Sequence, residues 1–148
     1  MNKLALAGLV AAGFAASPAL ALEHEVVIDR AHGPIAADYK GSVSIETTQV
    51  GAADVAGRPS TLACRWTASL ILERVARVGQ GLQSRRSLSS KGVASGARPG
   101  WCETNAKAIE KLVDARSDTF RTAMLALGER DRAAILAEAE SASKTSGG

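Results

Sequence analysis

Two short segments contain both cysteines and both tryptophans of this chain, and they constrain its fold more than any other feature. They read Leu62-Ala63-Cys64-Arg65-Trp66 and Arg98-Pro99-Gly100-Trp101-Cys102. Two cysteines allow only one pairing, and in an exported protein a disulfide is the first expectation for such a pair. We therefore predict a Cys64–Cys102 disulfide, with Trp66 and Trp101 packed beside it.

A redox-active dithiol and a metal cage are the chemical alternatives for these cysteines. A redox pair typically has a close Cys-x-x-Cys spacing, whereas 37 residues lie between Cys64 and Cys102. A metal cage of cysteines and histidines would need the same two thiols. A structural disulfide that closes a loop of this length stabilises a fold by about 4 kcal/mol, so the predicted role of the bond is architectural.

The first 21 residues have the pattern of a secretory signal peptide. Lys3 precedes an apolar run, and Ala19-Leu20-Ala21 supplies a cleavage site of the A-x-A type. A membrane anchor needs about 20 apolar residues, and Pro18 interrupts the run. We expect export to the periplasm or the extracellular space, with no transmembrane segment after cleavage. Residues 22–140 are then predicted to form one domain, followed by a disordered tail over residues 141–148.

Alternating apolar and polar residues predict strands in the first half of this domain. Residues 26–28 form a short branched run, and residues 41–50 alternate with the period of a sheet that has one dry face. Gly79-Gln80-Gly81 separates residues 68–78 from residues 82–93 and predicts a β-hairpin. The second arm of that hairpin is too polar for a central strand and is predicted to be an edge.

The segment from residue 61 to residue 78 is ambiguous between a strand and a helix. Its even positions are apolar from Leu62 to Leu72, which favours a central strand, but helical spacing also fits the later residues. If the strand continues beyond Leu72, Arg74 falls on the inward face. We therefore expect a bulge, or the end of core packing, near Glu73.

Helical periodicity dominates the last third of the chain. A helix is predicted from Cys102 to about Leu127, ended by Gly128, with a second short helix over residues 132–139. Arg116 falls within the apolar stripe of the first helix, where it either extends past the edge of the core or pairs with a carboxylate. The predicted fold class is α+β: a small antiparallel sheet of about four strands, packed by one long and one short C-terminal helix, with one disulfide.

Basic residues are concentrated in the middle third of the chain. Residues 58–98 contain eight basic side chains and a single acidic one, although the mature chain carries a net charge of only +2. Five of them form a cationic hairpin, which we define as Arg74, Arg77, Arg85, Arg86 and Lys91. These residues either bind an anionic envelope component or acidic protein, or keep an exposed edge strand from pairing with other chains. A nucleic acid is not the expected partner, because the stretch lacks interleaved aromatic residues.

Three function classes remain open. The first is a non-catalytic binding module of the bacterial envelope, without a cofactor. The alternative is a metal-handling protein in which Leu22, Glu23 and His24 at a free amino terminus hold copper or nickel. The third is a small exported hydrolase, for which no catalytic constellation of residues can be named. The oligomeric state is not specified by the sequence.

Overall fold

The protein folds as a four-stranded sheet followed by two helices. The computed structural model describes residues 22–54, 56–79 and 81–147, so the predicted signal peptide over residues 1–21 lies outside the described residues. The strands pair antiparallel in chain order. The predicted α+β class is confirmed, with four strands, one short and one long helix, and one disulfide. The elements are β1 (Leu22–Ile28), β2 (Ile35–Val50), β3 (Ala63–Val78), β4 (Gly81–Pro99), α1 (Cys102–Asp114) and α2 (Ser117–Ser146).

Strand β3 is the centre of the core, and its burial follows the period of two that the sequence predicts. The even positions from Cys64 to Ala76 are buried, and the positions between them are exposed or half-buried. The strand interpretation of residues 61–78 is therefore confirmed and the helical alternative is wrong. Both helices pack on the side of the sheet that carries these buried positions, where Ile109, Val113, Phe120 and Met124 join the same apolar cluster. The other side of the sheet, which we call the open face, carries no helix among the described residues.

The β3–β4 hairpin is confirmed, and its second arm is an edge strand as predicted. Val78 pairs with Gly81, so the two strands approach each other closely at the predicted turn. Gly79 has a φ of 59°, in the left-handed region that favours glycine and suits hairpin turns. The register of β4 on β3 shifts at two places, between Ala68 and Leu70 and between Ala76 and Arg77.

The expected bulge or end of core packing near Glu73 is wrong. Pairing between β3 and β4 is uninterrupted from Leu70 to Ala76, and Arg74 is fully buried on the inward face. A buried cation is tolerated only when charged and hydrogen-bonded partners replace its water. The charged partners, Asp131 and Glu138, come from α2, and Ser84 of β4 adds a hydroxyl acceptor.

The helix boundaries differ from the prediction. The first helix ends at Asp114 rather than near Leu127, and α2 runs through Gly128 to Ser146. Helix α2 therefore includes the predicted short helix over residues 132–139 and most of the predicted disordered tail. The break falls at Arg116, whose amide donates to the carbonyl of Val113 three residues earlier and whose φ and ψ of −101° and 26° leave the helical region.

Gly128 lies at a close approach of helix to sheet rather than at a helix end. A Cβ atom added there would lie 3.7 Å from the ring of Tyr39 on β2, which is an ordinary van der Waals distance. A methyl group would therefore fit between α2 and the aromatic ring, and α2 continues through this position without interruption. The predicted helix end at Gly128 is wrong.

We expect Gly128→Ala to raise the free energy of unfolding by about 0.5–1 kcal/mol, because alanine favours a helix interior over glycine and the added methyl has room. Urea unfolding followed by circular dichroism measures this change. Ala126→Gly, at an exposed position of the same helix, is the matched control and should lower stability by a similar amount. A Gly128→Ala variant less stable than the parent would contradict the assigned packing against Tyr39.

The predicted disulfide joins β3 to the first residue of α1. Cys64 and Cys102 are bonded, with their Cα atoms 4.8 Å apart, and Cys64 is fully buried. Trp66, two residues along β3, belongs to the same buried cluster, whereas Trp101 is 54 % exposed. The two tryptophans therefore differ in their environment, and only Trp66 shares the buried environment of Cys64.

Trp66 lies against the backbone of the edge strand. Its register partner on β4 is Gly96, and a Cβ atom at Gly96 would lie within 3.0 Å of the indole ring. The Arg116 guanidinium lies 5.6 Å from the centre of that ring, a cation–π distance. Arg116 is exposed, so it extends past the edge of the core, which is the first of its two predicted arrangements.

Candidate functional site

Arg74 of the predicted cationic hairpin is part of a buried ion cluster, not of the surface. Its Nε donates a hydrogen bond to Oδ2 of Asp131 at 2.8 Å, and its Nη2 donates to Oδ1 at 3.4 Å. Both side chains are fully buried. The pair joins the central strand to α2, because Asp131 lies on the helix face that packs on the sheet.

Glu138 and Ser84 occupy the remaining donors of the guanidinium. Nη1 of Arg74 donates to Oε2 of Glu138 at 2.9 Å and to Oγ of Ser84 at 2.6 Å, and Nη2 donates to Oε1 of Glu138 at 3.2 Å. Ser84 Oγ donates in turn to Glu138 Oε2 at 2.6 Å. An arginine has five N–H donors, and all five have acceptors here. None remains for an external anion.

Tyr39 completes the buried ion cluster from β2. Its hydroxyl donates to Oδ2 of Asp131 at 3.0 Å. Burial and the neighbouring Asp131 charge raise the pKa of Tyr39 well above its ordinary value, so the phenol stays protonated. The hydrogen bond from Arg74 lowers the pKa of Glu138, which keeps this carboxylate ionised.

The partners of Arg74 keep its guanidinium protonated. Burial lowers the pKa of Arg74. Hydrogen bonding to Glu138 and the charges of Asp131 and Glu138 raise this pKa by more than burial lowers it, so the net shift is upward. Tyr39, Arg74 and Glu138 are therefore each held in one protonation state at neutral pH. Such groups stabilise the packing of α2 on the sheet and are poorly suited to exchange protons with a substrate.

The prediction that Arg74 binds an anionic partner is therefore wrong, because its side chain is buried and its donors are occupied. Sequence reasoning also missed the three residues that accept hydrogen bonds from Arg74, namely Ser84, Asp131 and Glu138, and Tyr39, which donates to Asp131. One signal was available: Asp131 and Glu138 are seven residues apart, which places both on one helix face, together with the apolar Ile135. An acidic pair on an apolar face indicates a buried cation opposite.

The other four residues of the cationic hairpin lie in three different places. Arg77 and Arg85 are exposed on the open face, where Arg85 is the neighbour of Val75 across the β3–β4 register. Arg86 lies on the helix-covered side, at its rim, with Nη1 3.5 Å from Asp131 and a side chain 47 % exposed. Lys91 is exposed in the stretch of β4 where the register shifts. The structure therefore does not gather the predicted set into one surface, but it keeps Arg77 and Arg85 together.

A groove of about 670 Å³ crosses the open face beside Arg77 and Arg85. Acidic side chains predominate on the β1–β2 side, where Lys40 is the exception, and basic side chains predominate on the β3–β4 side, where Glu73 is the exception. The lining residues are Glu23, His24, Glu25, Asp38, Tyr39, Lys40, Glu73, Val75, Arg77 and Arg85. This groove is the candidate binding site of the protein.

The copper or nickel site predicted at Leu22, Glu23 and His24 conflicts with the strand that contains these residues. Leu22 is buried, and all three pair with β2 in an extended ladder. A square-planar site would need the backbone amides of both Glu23 and His24, and one of these two amides points into the ladder with β2. The His24 ring instead stacks on Tyr39, with ring centroids 6.3 Å apart. Among the residues that the structure describes, no three His, Cys, Asp or Glu side chains are grouped to hold a metal ion.

Comparisons with known proteins give this chain no relative. No protein-family model, curated protein or solved structure matches it. Within the described ranges, neither helix combines the length and the apolar character needed to cross a membrane. The functional interpretation therefore depends on the geometry of the groove and on the chemistry of its side chains.

Proposed function

We propose that this protein is an exported, non-catalytic binding module of the cell envelope, which binds an anionic group of its partner at Arg77 and Arg85. The observation that carries the proposal is the placement of these two side chains. Both are exposed on one wall of the groove, and neither has a carboxylate within 4.0 Å among the described residues. Guanidinium groups in this state are available to a carboxylate or phosphate of a ligand.

The contrast with Arg74 supports the proposal. The three arginines lie within the same hairpin, yet Arg74 bonds to five acceptors of its own chain while Arg77 and Arg85 point to the opposite side of the sheet. Binding of an external anion by Arg74 would require the loss of Asp131 and Glu138 as partners. The same anion at Arg85 displaces only water.

Export is supported by the signal-peptide pattern of residues 1–21 and by the disulfide. Disulfides persist in oxidising compartments outside the cytoplasm and are rare within it. A binding role is supported by the contrast between two sets of titratable groups. Tyr39, Arg74 and Asp131 are buried and bonded to one another, whereas Glu25, Asp38, Arg77 and Arg85 line an open groove. Exposed charges in a groove suit electrostatic recognition better than proton transfer.

Arg77→Ala/Arg85→Ala should weaken binding to anionic envelope material roughly tenfold or more, because two charge-assisted contacts are removed. Retention is measured on vesicles containing phosphatidylglycerol and on an immobilised carboxylated polysaccharide, at low and physiological salt. The parent protein should lose affinity as salt rises, and the double variant should lose this dependence.

Arg65→Ala/Arg121→Ala removes the same net charge from two exposed positions outside the groove and is the matched control. It should bind as the parent does. If both double variants weakened binding equally, binding would depend on the net charge of the protein, and this result would contradict a site at the groove. Unchanged binding by Arg77→Ala/Arg85→Ala, together with new self-association, would instead assign these residues to protection of the β4 edge.

A further inference from the structure

The groove on the open face has a second charged wall opposite Arg77 and Arg85. Glu25 on β1 and Asp38 on β2 are direct register partners, so two carboxylates stand side by side on the same face. Like charges directly opposite each other across a sheet are destabilising. Neither has a basic side chain within 4.0 Å among the described residues. This wall is therefore an acidic site with no cation from the described chain.

A neighbouring row of the open face adds two acidic side chains and one basic one. Lys40 on β2 and Glu73 on β3 are register partners of opposite charge, and Glu23 flanks Lys40 on its other side. Adjacent opposite charges largely offset each other, so this row contributes one negative charge in sum. The larger concentrations of charge are an acidic pole at Glu25 and Asp38 and a basic pole at Arg77 and Arg85.

The register fixes the separation of the two poles. Asp38 pairs with Val75, and Val75 pairs with Arg85, so these two charged residues stand two strand spacings apart. Glu25 lies one strand further out and Arg77 one strand nearer, so the midpoints of the two poles have the same separation. Neighbouring strands lie about 4.8 Å apart, which gives a span of about 10 Å. An extended peptide advances about 3.3–3.6 Å per residue, so a peptide of about three residues matches this span from its amino to its carboxyl end.

We propose that the groove binds a short free peptide in its zwitterionic form, with the terminal ammonium at Glu25 and Asp38 and the terminal carboxylate at Arg77 and Arg85. This inference rests on the proposed function, since the carboxylate is the anionic group bound by the two arginines. It adds the acidic pole and, with it, a ligand length and a ligand orientation. Val75, half-buried between the poles, gives the middle of the peptide an apolar contact.

Titration calorimetry with tri-alanine tests the proposal directly, because each charged end can be removed in turn. N-acetylation and C-amidation should each weaken binding at least fivefold. Di-alanine and penta-alanine should bind more weakly than tri-alanine, since neither matches the span. Equal binding of the free and N-acetylated tripeptides would overturn the proposal.

Variants assign each end of the peptide to its wall. Glu25→Gln/Asp38→Asn should make the protein insensitive to N-acetylation while its sensitivity to C-amidation persists, and Arg77→Ala/Arg85→Ala should show the reverse. Glu103→Gln/Glu110→Gln, at two exposed positions of α1, is the matched control and should leave both sensitivities intact.

The outcomes separate this inference from the proposed function. If binding depends on Arg77 and Arg85 but not on the peptide amine, the anionic site stands and the zwitterionic ligand is wrong. If binding is independent of both pairs of residues, both proposals are wrong. Thermal unfolding of each variant in the absence of peptide confirms that a lost signal reflects binding rather than folding.

Discussion

Asp131→Asn should lower the free energy of unfolding by about 3 kcal/mol, one of the two largest effects that we expect from a change in this chain. Removing one partner of a buried ion pair leaves the other charge without compensation, which typically costs about 3–5 kcal/mol. Asp131 accepts hydrogen bonds from Arg74 and from the Tyr39 hydroxyl, and its side chain is fully buried. Glu138 remains beside Arg74, so we place the effect at the lower end. Urea unfolding at pH 7 measures it.

Glu129→Gln is the matched control for this prediction, because it removes a carboxylate from an exposed position of the same helix. Its effect should stay within about 0.5 kcal/mol. Tyr39→Phe combined with Asp131→Asn tests the hydrogen bond itself, since the two changes should cost less together than the sum of the single variants. Equal stability of Asp131→Asn and Glu129→Gln would show that the buried ion cluster does not hold α2 on the sheet.

Cys64→Ala/Cys102→Ala should lower the free energy of unfolding by about 4 kcal/mol. The bond closes a loop with a sequence separation of 38 residues, and its loss restores conformational freedom to the unfolded chain. Replacement of the fully buried Cys64 by alanine adds a smaller packing loss. Urea unfolding of the parent and the double variant measures the change.

Reduction of the parent protein separates the bond from the side chains. The reduced parent should lose nearly as much stability as the double variant, because the thiol of Cys64 still fills its place in the core. A mass two hydrogens below that of the reduced chain should be found for the native protein. An unchanged urea midpoint after complete reduction would contradict a stabilising role for the disulfide.

The sequence predicted the parts of the fold that follow from the alternation of neighbouring residues, from turn residues, or from a cysteine pair with one possible partner. The alternation from Leu62 to Leu72 identified the buried face of β3, and two glycines around Gln80 identified the hairpin. The Cys64–Cys102 bond followed from the number of cysteines and the expected compartment. The first two inferences use residues that are close in sequence, and the third uses the fact that two cysteines allow only one pairing.

The buried ion cluster could not be predicted in the same way, because its members meet only in the folded chain. Arg74 lies 57 residues from Asp131 and 64 from Glu138. Without these partners, an arginine on the inward face of a strand indicates an interruption, and this is why a bulge was expected near Glu73. The structure supplies carboxylates from α2 instead, so the strand continues.

The helix boundaries were missed because residue type alone does not determine what a glycine does. Gly128 has the identity of a C-cap but the surroundings of a contact with Tyr39, which lies 89 positions earlier in the numbering. The candidate groove has a similar origin. Its acidic wall comes from β1 and β2 and its basic wall from β3 and β4, and the register of the sheet decides that they face each other.

Strand β3 divides stability and the proposed recognition between alternating residues. On β3, Leu72, Arg74 and Ala76 point into the core, while Glu73, Val75 and Arg77 point to the open face. Substitutions at the exposed Glu73 and Arg77 are therefore expected to leave the packing beneath them unchanged. During evolution, the exposed residues of this surface can therefore change, and the proposed ligand with them, while the buried residues keep the fold stable.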